Sequence, residues 1–306
     1  MTWEEILRGD VTRESDLAAA AFFLLAQARV SWPAVFLGER ARREAPRKTL
    51  VGRDARVEVQ LSPGRRQSVH ARVDDAVIAA RPCFLCPPQM PPEELGLAWE
   101  DLALLPNPFP AAPGHLTLPS RTHRPQRIAG RTLQLCRIAS RFRGRFAALY
   151  NGPRCGASAP DHFHLQACDP GALPLLQTPL SAGVHEAFGR SVVVLREDSV
   201  EEAARALDGW LARLPAAIPG EEPMVNLVAL ARGEALEVLV FPRRRHRPAC
   251  YDGPVESRIR VSPAALEMAG LVVVTEREHF DRLNESAAEA IYREVSVPVE
   301  VLRGRP

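Results

Sequence analysis

Prolines exclude a helix from one long stretch of this chain. Five of them fall within LALLPNPFPAAPGHLTLPS, residues 102–120. Proline lacks a backbone N–H and clashes with the preceding helical turn, whereas turns and strand ends accept it. The segment just upstream, ARPCFLCPPQMPPEE (80–94), is a proline-rich loop for the same reason. This part of the chain is therefore predicted to form short strands joined by turns.

Other segments have a pattern typical of helices or of paired strands. Helices are predicted for LAAAAFFLLAQA (17–28) with Asp16 as N-cap, RTLQLCRIASRFRGRF (131–146), SVEEAARALDGWLARL (199–214) with Ser199 or Asp198 as cap, and REHFDRLNESAAEAIYREV (277–295). A hairpin that turns near Gly233 is predicted for residues 223–242. Strands and helices that follow one another without strict alternation indicate an α+β fold on an antiparallel sheet.

The composition changes near residue 176, which suggests a boundary. We predict a helical N-terminal extension over residues 1–50, a catalytic half over 51–175 and a second, degenerate half over 176–306. A weak repeat favours two halves, since Leu118–Pro125 and Phe241–Pro248 both contain Pro-x-x-x-His-Arg-Pro. Chance similarity in a chain rich in arginine and proline explains this repeat equally well.

Charge and hydropathy exclude several classes of protein. A formal net charge of +2 over 306 residues indicates no general attraction to nucleic acid or membranes. The first ten residues lack the basic region of a secretory signal, and residues 17–28 are too short to span a bilayer. Six cysteines without an export signal are typical of a reducing compartment. We expect a cytoplasmic protein.

The stretch GASAPDHFHLQAC (156–168) has the chemistry of a phosphoryl site. On a strand, His162, His164 and Gln166 point to one side, and Phe163 and Leu165 enter the core. A neutral imidazole is a good nucleophile near pH 7, and it can displace a group from phosphorus and then be displaced itself. Gln166 can donate to a phosphoryl oxygen, and Ser158 can help to hold the developing charge.

The stretch NGPRCGASAPDHFHLQ (151–166) resembles the active-site strand of the histidine-triad superfamily. The similarity is to its transferase branch, in which glutamine takes the last triad position. That branch includes galactose-1-phosphate uridylyltransferase, diadenosine tetraphosphate phosphorylase and GDP-L-galactose phosphorylase. Residues 106–125 also resemble the strand pair before the triad, and 240–248 and 262–280 resemble the second half of the last group.

The resemblance implies a role for individual residues. His164 would be the nucleophile that takes the nucleotidyl group, and Gln166 would contact the phosphoryl oxygens. Ser158 and Asn151 would match phosphate-binding positions, and Asn107 a nucleotide-contacting one. Three residues separate Ser158 from His162 where family members usually have two, which leaves the role of Ser158 open.

Cys83 and Cys86 form a Cys-x-x-Cys that suits a metal. Two cysteines and two histidines make a tetrahedral zinc site. His162 is available if His164 is the nucleophile, and His123 is the preferred fourth ligand, with His115 as its rival. The resemblance implies the same plan, with a structural zinc that holds the strand of His164. A pair of reduced, buried cysteines is the alternative.

Nucleotide phosphates need cationic partners, and arginine offers two parallel hydrogen bonds. Arg154 is our first choice because it is close to the triad in sequence. Arg65 and Arg66 follow a turn, and four more arginines surround His246, at positions 243, 244, 245 and 247.

The sequence therefore predicts a nucleotidyltransferase of the phosphorylase type. It would cleave a nucleoside diphosphate-sugar or dinucleoside polyphosphate at the α-phosphorus through a nucleotidyl-histidine, with inorganic phosphate or a sugar phosphate as acceptor. A hydrolase of the same fold and a catalytically silent, zinc-stabilised nucleotide-binding module are the alternatives. Family analogy suggests a homodimer, and the sequence identifies neither the base nor the second half of the donor.

Overall fold

A computed structural model describes residues 1–12, 15–66, 75–216, 218 and 220–304. Its α-helices are α1 (Trp3–Ile6), α2 (Leu17–Ser31), α3 (Pro33–Glu44), α4 (Asp75–Ala80), α5 (Thr132–Arg141), α6 (Val200–Arg213), α7 (Ala265–Met268), α8 (Arg277–Arg282), α9 (Glu285–Val295) and α10 (Val299–Arg303). Its strands are β1 (Leu7–Asp10), β2 (Arg47–Val51), β3 (Arg56–Leu61), β4 (Gly96–Trp99), β5 (Leu102–Pro106), β6 (Leu116–Pro119), β7 (Ala147–Asn151), β8 (His164–Cys168), β9 (Gly183–Ala187), β10 (Arg190–Glu197), β11 (Val225–Arg232), β12 (Ala235–Pro242) and β13 (Leu271–Val274).

Within the described residues, ten strands form one large sheet in the order β1-β4-β5-β6-β8-β7-β11-β12-β10-β9. The pairing is antiparallel except at the edge, where β1 runs parallel to β4. A second sheet has the order β13-β3-β2, with β13 parallel to β3. The predicted α+β fold on an antiparallel sheet is confirmed.

The connectivity of the large sheet occurs twice. The chain order β5-β6-α5-β7-β8 places the strands in the order β5-β6-β8-β7, and β9-β10-α6-β11-β12 gives β9-β10-β12-β11. The two units meet where β7 pairs with β11, and α5 packs against α6. The large sheet thus contains two four-stranded units of the same connectivity.

The sequence repeat that suggested these halves is not the structural repeat. By connectivity β8 corresponds to β12, whereas the similar stretches Leu118–Pro125 and Phe241–Pro248 follow β6 and β12. His123 and His246 are therefore not equivalent. The similarity of the two stretches is the chance resemblance that the arginine and proline content allows.

The two faces of the large sheet have different covers. One face packs against α2, α5 and α6, and Phe163 and Leu165 of the triad stretch are buried there. The other face packs in its second half against the small sheet and α7–α9, where Leu239 and Phe241 of β12 are buried. In its first half this second face carries His164 and Gln166.

Most predicted elements form, with a few differences. Asp16 caps α2 by accepting a hydrogen bond from Ala19, and Ser199 rather than Asp198 caps α6. The predicted closing helix is divided into α8 and α9, because Asn284 starts a new helix by capping Ala287. The segment 1–50 holds α1–α3 but also β1 and part of β2.

Among the described residues no single helix is long and apolar enough to cross a bilayer. Helices α2 and α3, which meet at Trp32 with a bend of 104°, have the length and apolar composition of a membrane span only when the two are counted together.

Candidate active site

A cavity of about 650 Å³ lies over the polar part of the sheet. Five predicted site residues line it: Asn107, Asn151, Ser158, His164 and Gln166. The opposite wall comes from the second half of the chain, with residues 246, 247, 262, 264, 266 and 267. The cavity therefore needs both halves, although the predicted chemistry comes from one.

His164 is held in a single tautomer. Its Nδ1 lies 2.8 Å from the carbonyl oxygen of His162, so Nδ1 carries the proton and donates it. Nε2 makes no hydrogen bond with the described residues and keeps its lone pair. The side chain is 2% exposed, and burial lowers the pKa of His164 to about 4. At neutral pH this imidazole is an uncharged base oriented by its neighbour.

His115 fixes the amide of Gln166. The backbone N–H of Ala111 donates to His115 Nδ1 at 3.1 Å, so the proton of this imidazole must be on Nε2. Nε2 in turn lies 3.3 Å from Gln166 Oε1 and donates to it. Burial, with a contribution from Arg65, lowers the pKa of His115 to about 3, so the ring stays neutral. The NH2 group of Gln166 is thereby left as the donor available to a ligand.

Gln126, which nothing in the sequence marked as a site residue, anchors the start of β8, the strand that begins at His164. Its Oε1 accepts from the backbone N–H of His164 at 2.8 Å, and its Nε2 donates to the carbonyls of His164 and Asn151 at 3.0 and 2.9 Å. One buried amide thus ties β7 to β8 beside the imidazole of His164. A glutamine in an irregular arginine-rich stretch gives no sequence signal of this role.

The loop between β7 and β8 brings the small residues close to the second half. Gly156 has φ of +107°, and a Cβ there would lie 2.5 Å from that of Ala264. Asn151 Oδ1 accepts from Asn226 Nδ2 at 2.9 Å and from the N–H of Ala265 at 2.7 Å. Asn151 therefore has only its NH2 group left for a ligand. Ser158, on the same loop, lines the cavity as predicted.

Asn107 shapes the rim of the cavity. Its Oδ1 accepts from the N–H of Phe109 at 2.9 Å and its Nδ2 donates to Thr117 Oγ1 at 3.2 Å. These bonds fold the turn PNPF between β5 and β6. One N–H of the amide is left to meet a nucleotide, as the prediction requires.

The arginines that line the cavity do not include Arg154, the one predicted to bind phosphate. Arg154 pairs with Glu221, with Nη2 2.8 Å from Oε1, and it does not line the cavity. Arg65, Arg81 and Arg247 line it instead. Sequence proximity to the triad was a poor guide because Arg154, in the loop between β7 and β8, pairs with Glu221. Arg65 and Arg247 belong to the basic stretches identified in the sequence, whereas Arg81 gave no signal.

The four predicted metal ligands come together. The ligand atoms of Cys83, Cys86, His123 and His162 all lie within 4.8 Å of one another. His162 Nδ1 is 3.2 Å from Cys83 Sγ and 3.5 Å from Cys86 Sγ, and His123 Nδ1 is 3.4 Å from Cys86 Sγ. Two sulfur and two nitrogen donors at these separations fit a tetrahedral zinc ion. His115, the rival ligand, is engaged with Gln166 and lies outside the cluster.

The cluster of Cys83, Cys86, His123 and His162 is linked to His164 through His162. His162 donates from Nε2 to the carbonyl of Ser120 at 2.8 Å, the outer hydrogen bond that metal-binding histidines usually make. The backbone carbonyl of the same His162 accepts the hydrogen bond from the Nδ1–H of His164. Whatever holds His162 in place therefore also sets the tautomer of His164.

Comparison with known proteins places the fold. A family model described as a domain of unknown function, DUF4922, matches residues 24–169. A search of curated proteins finds no significant match. Among solved structures, yeast Ap4A phosphorylase Apa2 in complex with AMP is similar with a TM-score of 0.59 and 18% identity, over 93% of this chain and 97% of that one. The same enzyme in complex with Ap4A gives 0.59 and 16%, over 93% and 98%.

These similarities extend over nearly the whole of both chains. At 16–18% identity they establish a fold shared with the yeast Ap4A phosphorylase. The fold that the sequence resemblance implied is thus confirmed.

Proposed function

We propose that this protein is a nucleotidyltransferase of the phosphorylase type that acts through a nucleotidyl-histidine. The observation that carries the proposal is the state of His164, a neutral imidazole whose Nδ1 proton is committed to a carbonyl and whose Nε2 lone pair is available in a cavity. Structural similarity to a phosphorylase that binds AMP and Ap4A supports it. The donor would be a nucleoside diphosphate-sugar or a dinucleoside polyphosphate.

The reaction would proceed in two displacements. The Nε2 lone pair of His164 attacks the α-phosphorus, the N–P bond forms, and the P–O bond to the leaving group breaks with its electrons going to oxygen. An oxygen of inorganic phosphate then attacks the same phosphorus and breaks the N–P bond. The products are the released half of the donor and a nucleoside diphosphate, and His164 is regenerated.

The surrounding donors would stabilise charge on the phosphoryl oxygens. The NH2 groups of Gln166 and Asn151 and the hydroxyl of Ser158 are the neutral donors at the cavity wall. Preoriented donors are effective because they need no reorganisation during the reaction. Arg65, Arg81 and Arg247 supply positive charge for the remaining phosphates of the donor.

Zinc would serve a structural role on Cys83, Cys86, His123 and His162. Four protein ligands fill a tetrahedral ion, which leaves no position for an activated water. When bound, the ion would fix the position of His162. The chain itself then transmits this order through the His162 carbonyl to His164.

The test is the mass of the intact protein after brief incubation with UDP-glucose, GDP-mannose, ADP-glucose and Ap4A, without phosphate and at neutral to alkaline pH. We expect the added mass of one nucleoside monophosphate, lost in His164→Ala and kept in His185→Ala. Added phosphate should discharge the adduct to a nucleoside diphosphate. Discharge by water at the same rate would indicate a hydrolase, and nucleotide binding without any adduct would indicate a silent module.

A further inference from the structure

One carboxyl group at the cavity has no partner. Glu94 lines the cavity and is only 8% exposed, and its Oε1 accepts no hydrogen bond from the residues that the structure describes. Burial raises the pKa of Glu94 to about 8, and no charged side chain contributes to the shift. Buried polar atoms in native proteins nearly always have a partner, so this one points to a ligand.

Glu94 lies on the same face of the sheet as His164. It precedes β4 by two residues. Leu95, Leu97 and Trp99 pack with the helices in one core cluster, so the alternation along this segment places Glu94 on the opposite face. β4 pairs with β5, β5 with β6 and β6 with β8. Glu94 is therefore three strand spacings, roughly 14 Å, from the strand of the nucleophile. An extended nucleoside 5′-phosphate on His164 would place its base, not its phosphate, at that end.

The neighbouring cavity wall is apolar. Trp32, Met90 and Leu105 line the same cavity, and Met90 and Leu105 belong to one small core cluster. Apolar walls with one polar group are the usual composition of a site that binds a flat heteroaromatic ring and fixes its orientation.

We propose that Glu94 binds the Watson–Crick edge of guanine, so that the donor is a guanine nucleotide; this rests on the proposed function. An ionised carboxylate offers acceptors only. Guanine presents two adjacent donors on this edge, N1–H and the 2-amino group, and can meet both carboxylate oxygens. Adenine places the lone pair of N1 there, which an ionised carboxylate repels.

The ionisation of Glu94 sets the pH dependence of this recognition. With a pKa near 8, ionising the group at pH 7 costs about tenfold in affinity. Each of the two charge-assisted hydrogen bonds is worth more than about tenfold, so the guanine complex remains favourable. Because only the ionised form accepts both donors, affinity should rise as the pH increases from 6.5 to 8.

The experiment measures the dissociation constants of GMP, IMP and AMP by calorimetry. The wild type should bind GMP at least about tenfold more tightly than IMP, which lacks the 2-amino group, and than AMP. Glu94→Gln keeps the shape of the neutral acid but cannot accept two hydrogen bonds, so it should lose at least about tenfold for GMP and lose the pH dependence. Glu93→Gln, at the exposed neighbour, should behave as the wild type.

Several results would overturn the assignment. Equal affinity of the wild type for GMP and AMP, or no binding of either, would do so. Tighter AMP binding that survives in Glu94→Gln would mean that the neutral acid recognises another base. This test and the test of the proposed function can fail separately. A guanine preference without any His164 adduct would support the role of Glu94 and reject catalysis. A His164 adduct formed equally from donors of every base would support catalysis and reject the role of Glu94.

Discussion

Hydrogen bonds run from the N–H of Ala111 to His115 and from His115 to Gln166. We therefore predict that His115→Leu lowers kcat by releasing the amide of Gln166. Leucine fills a similar buried volume but can neither accept from Ala111 nor donate to Gln166. The amide of Gln166 is then free to turn, and in one of its two orientations its oxygen faces the phosphoryl oxygens. We expect kcat to fall while the fold is kept.

The size of the effect follows from the bonds that are lost. Removing one preoriented oxyanion donor costs about 10²–10³ in kcat. His115 acts on such a donor indirectly, so we expect a smaller loss, about 10- to 100-fold in kcat, with little change in the KM of the donor. The unsatisfied N–H of Ala111 should cost about 1–3 kcal/mol of stability, measurable by urea unfolding.

A double-mutant cycle tests whether His115 acts through Gln166. If it does, Gln166→Ala and the double variant His115→Leu/Gln166→Ala should have the same kcat, because the donor is already gone. His185→Leu serves as the control for loss of a histidine elsewhere. Additive losses of kcat across the cycle would refute the reasoning, as would a His115→Leu enzyme with the kcat of the wild type.

Three further outcomes follow from the geometry. Gly156→Ala should lower stability by several kcal/mol more than Gly183→Ala in thermal or urea unfolding, because both glycines have positive φ but only the first would bring a Cβ within 2.5 Å of a neighbouring one. Cys83→Ser should reduce bound zinc and lower both Tm and the yield of His164 adduct, whereas Cys250→Ser, outside the cluster, should leave all three unchanged. Because the pKa of His164 is lowered to about 4, the unfolded chain takes up a proton on this residue at a higher pH than the folded chain does. The contribution of His164 to the free energy of unfolding is therefore complete above pH 6.5 and is lost as the pH falls towards 4, by up to about 1.4 kcal/mol per pH unit. The free energy of unfolding of His164→Ala should lack this part of the pH dependence.

Local patterns were sufficient where a single element decides the geometry. Alternation correctly placed His164 and Gln166 at the cavity and Phe163 and Leu165 in the core. It was wrong for His162, which lies before β8 and in the cysteine cluster instead of lining the cavity. Donor chemistry selected Cys83 and Cys86 because few other functions place two thiols and two imidazoles in such spacing. The prolines correctly excluded helix between β5 and β6.

Contacts between segments that are distant in the chain could not be predicted from the sequence. Nothing near Gln126 or Glu94 in the sequence marks a buried amide or an unpartnered carboxylate oxygen. These roles arise only when β7 pairs with β8 and β4 joins the same sheet through β5 and β6. Arg154 was chosen by its distance along the chain, but the fold directs it to Glu221. His115 was considered as a metal ligand, and only the position of Ala111 reveals that its ring nitrogens are already assigned.

The parallel pairing of β3 with β13 has a practical consequence for working with parts of this chain. The segment 24–169 that matches a family model contains β3, but the strand beside it and the wall opposite His164 come from residues 246–274. A fragment cut at residue 175 would leave Val57 and Val59 without the side chains of β13 that now cover them. Such a fragment is expected to aggregate when expressed alone, and the stretch most easily recognised in the sequence is not one that can be purified by itself.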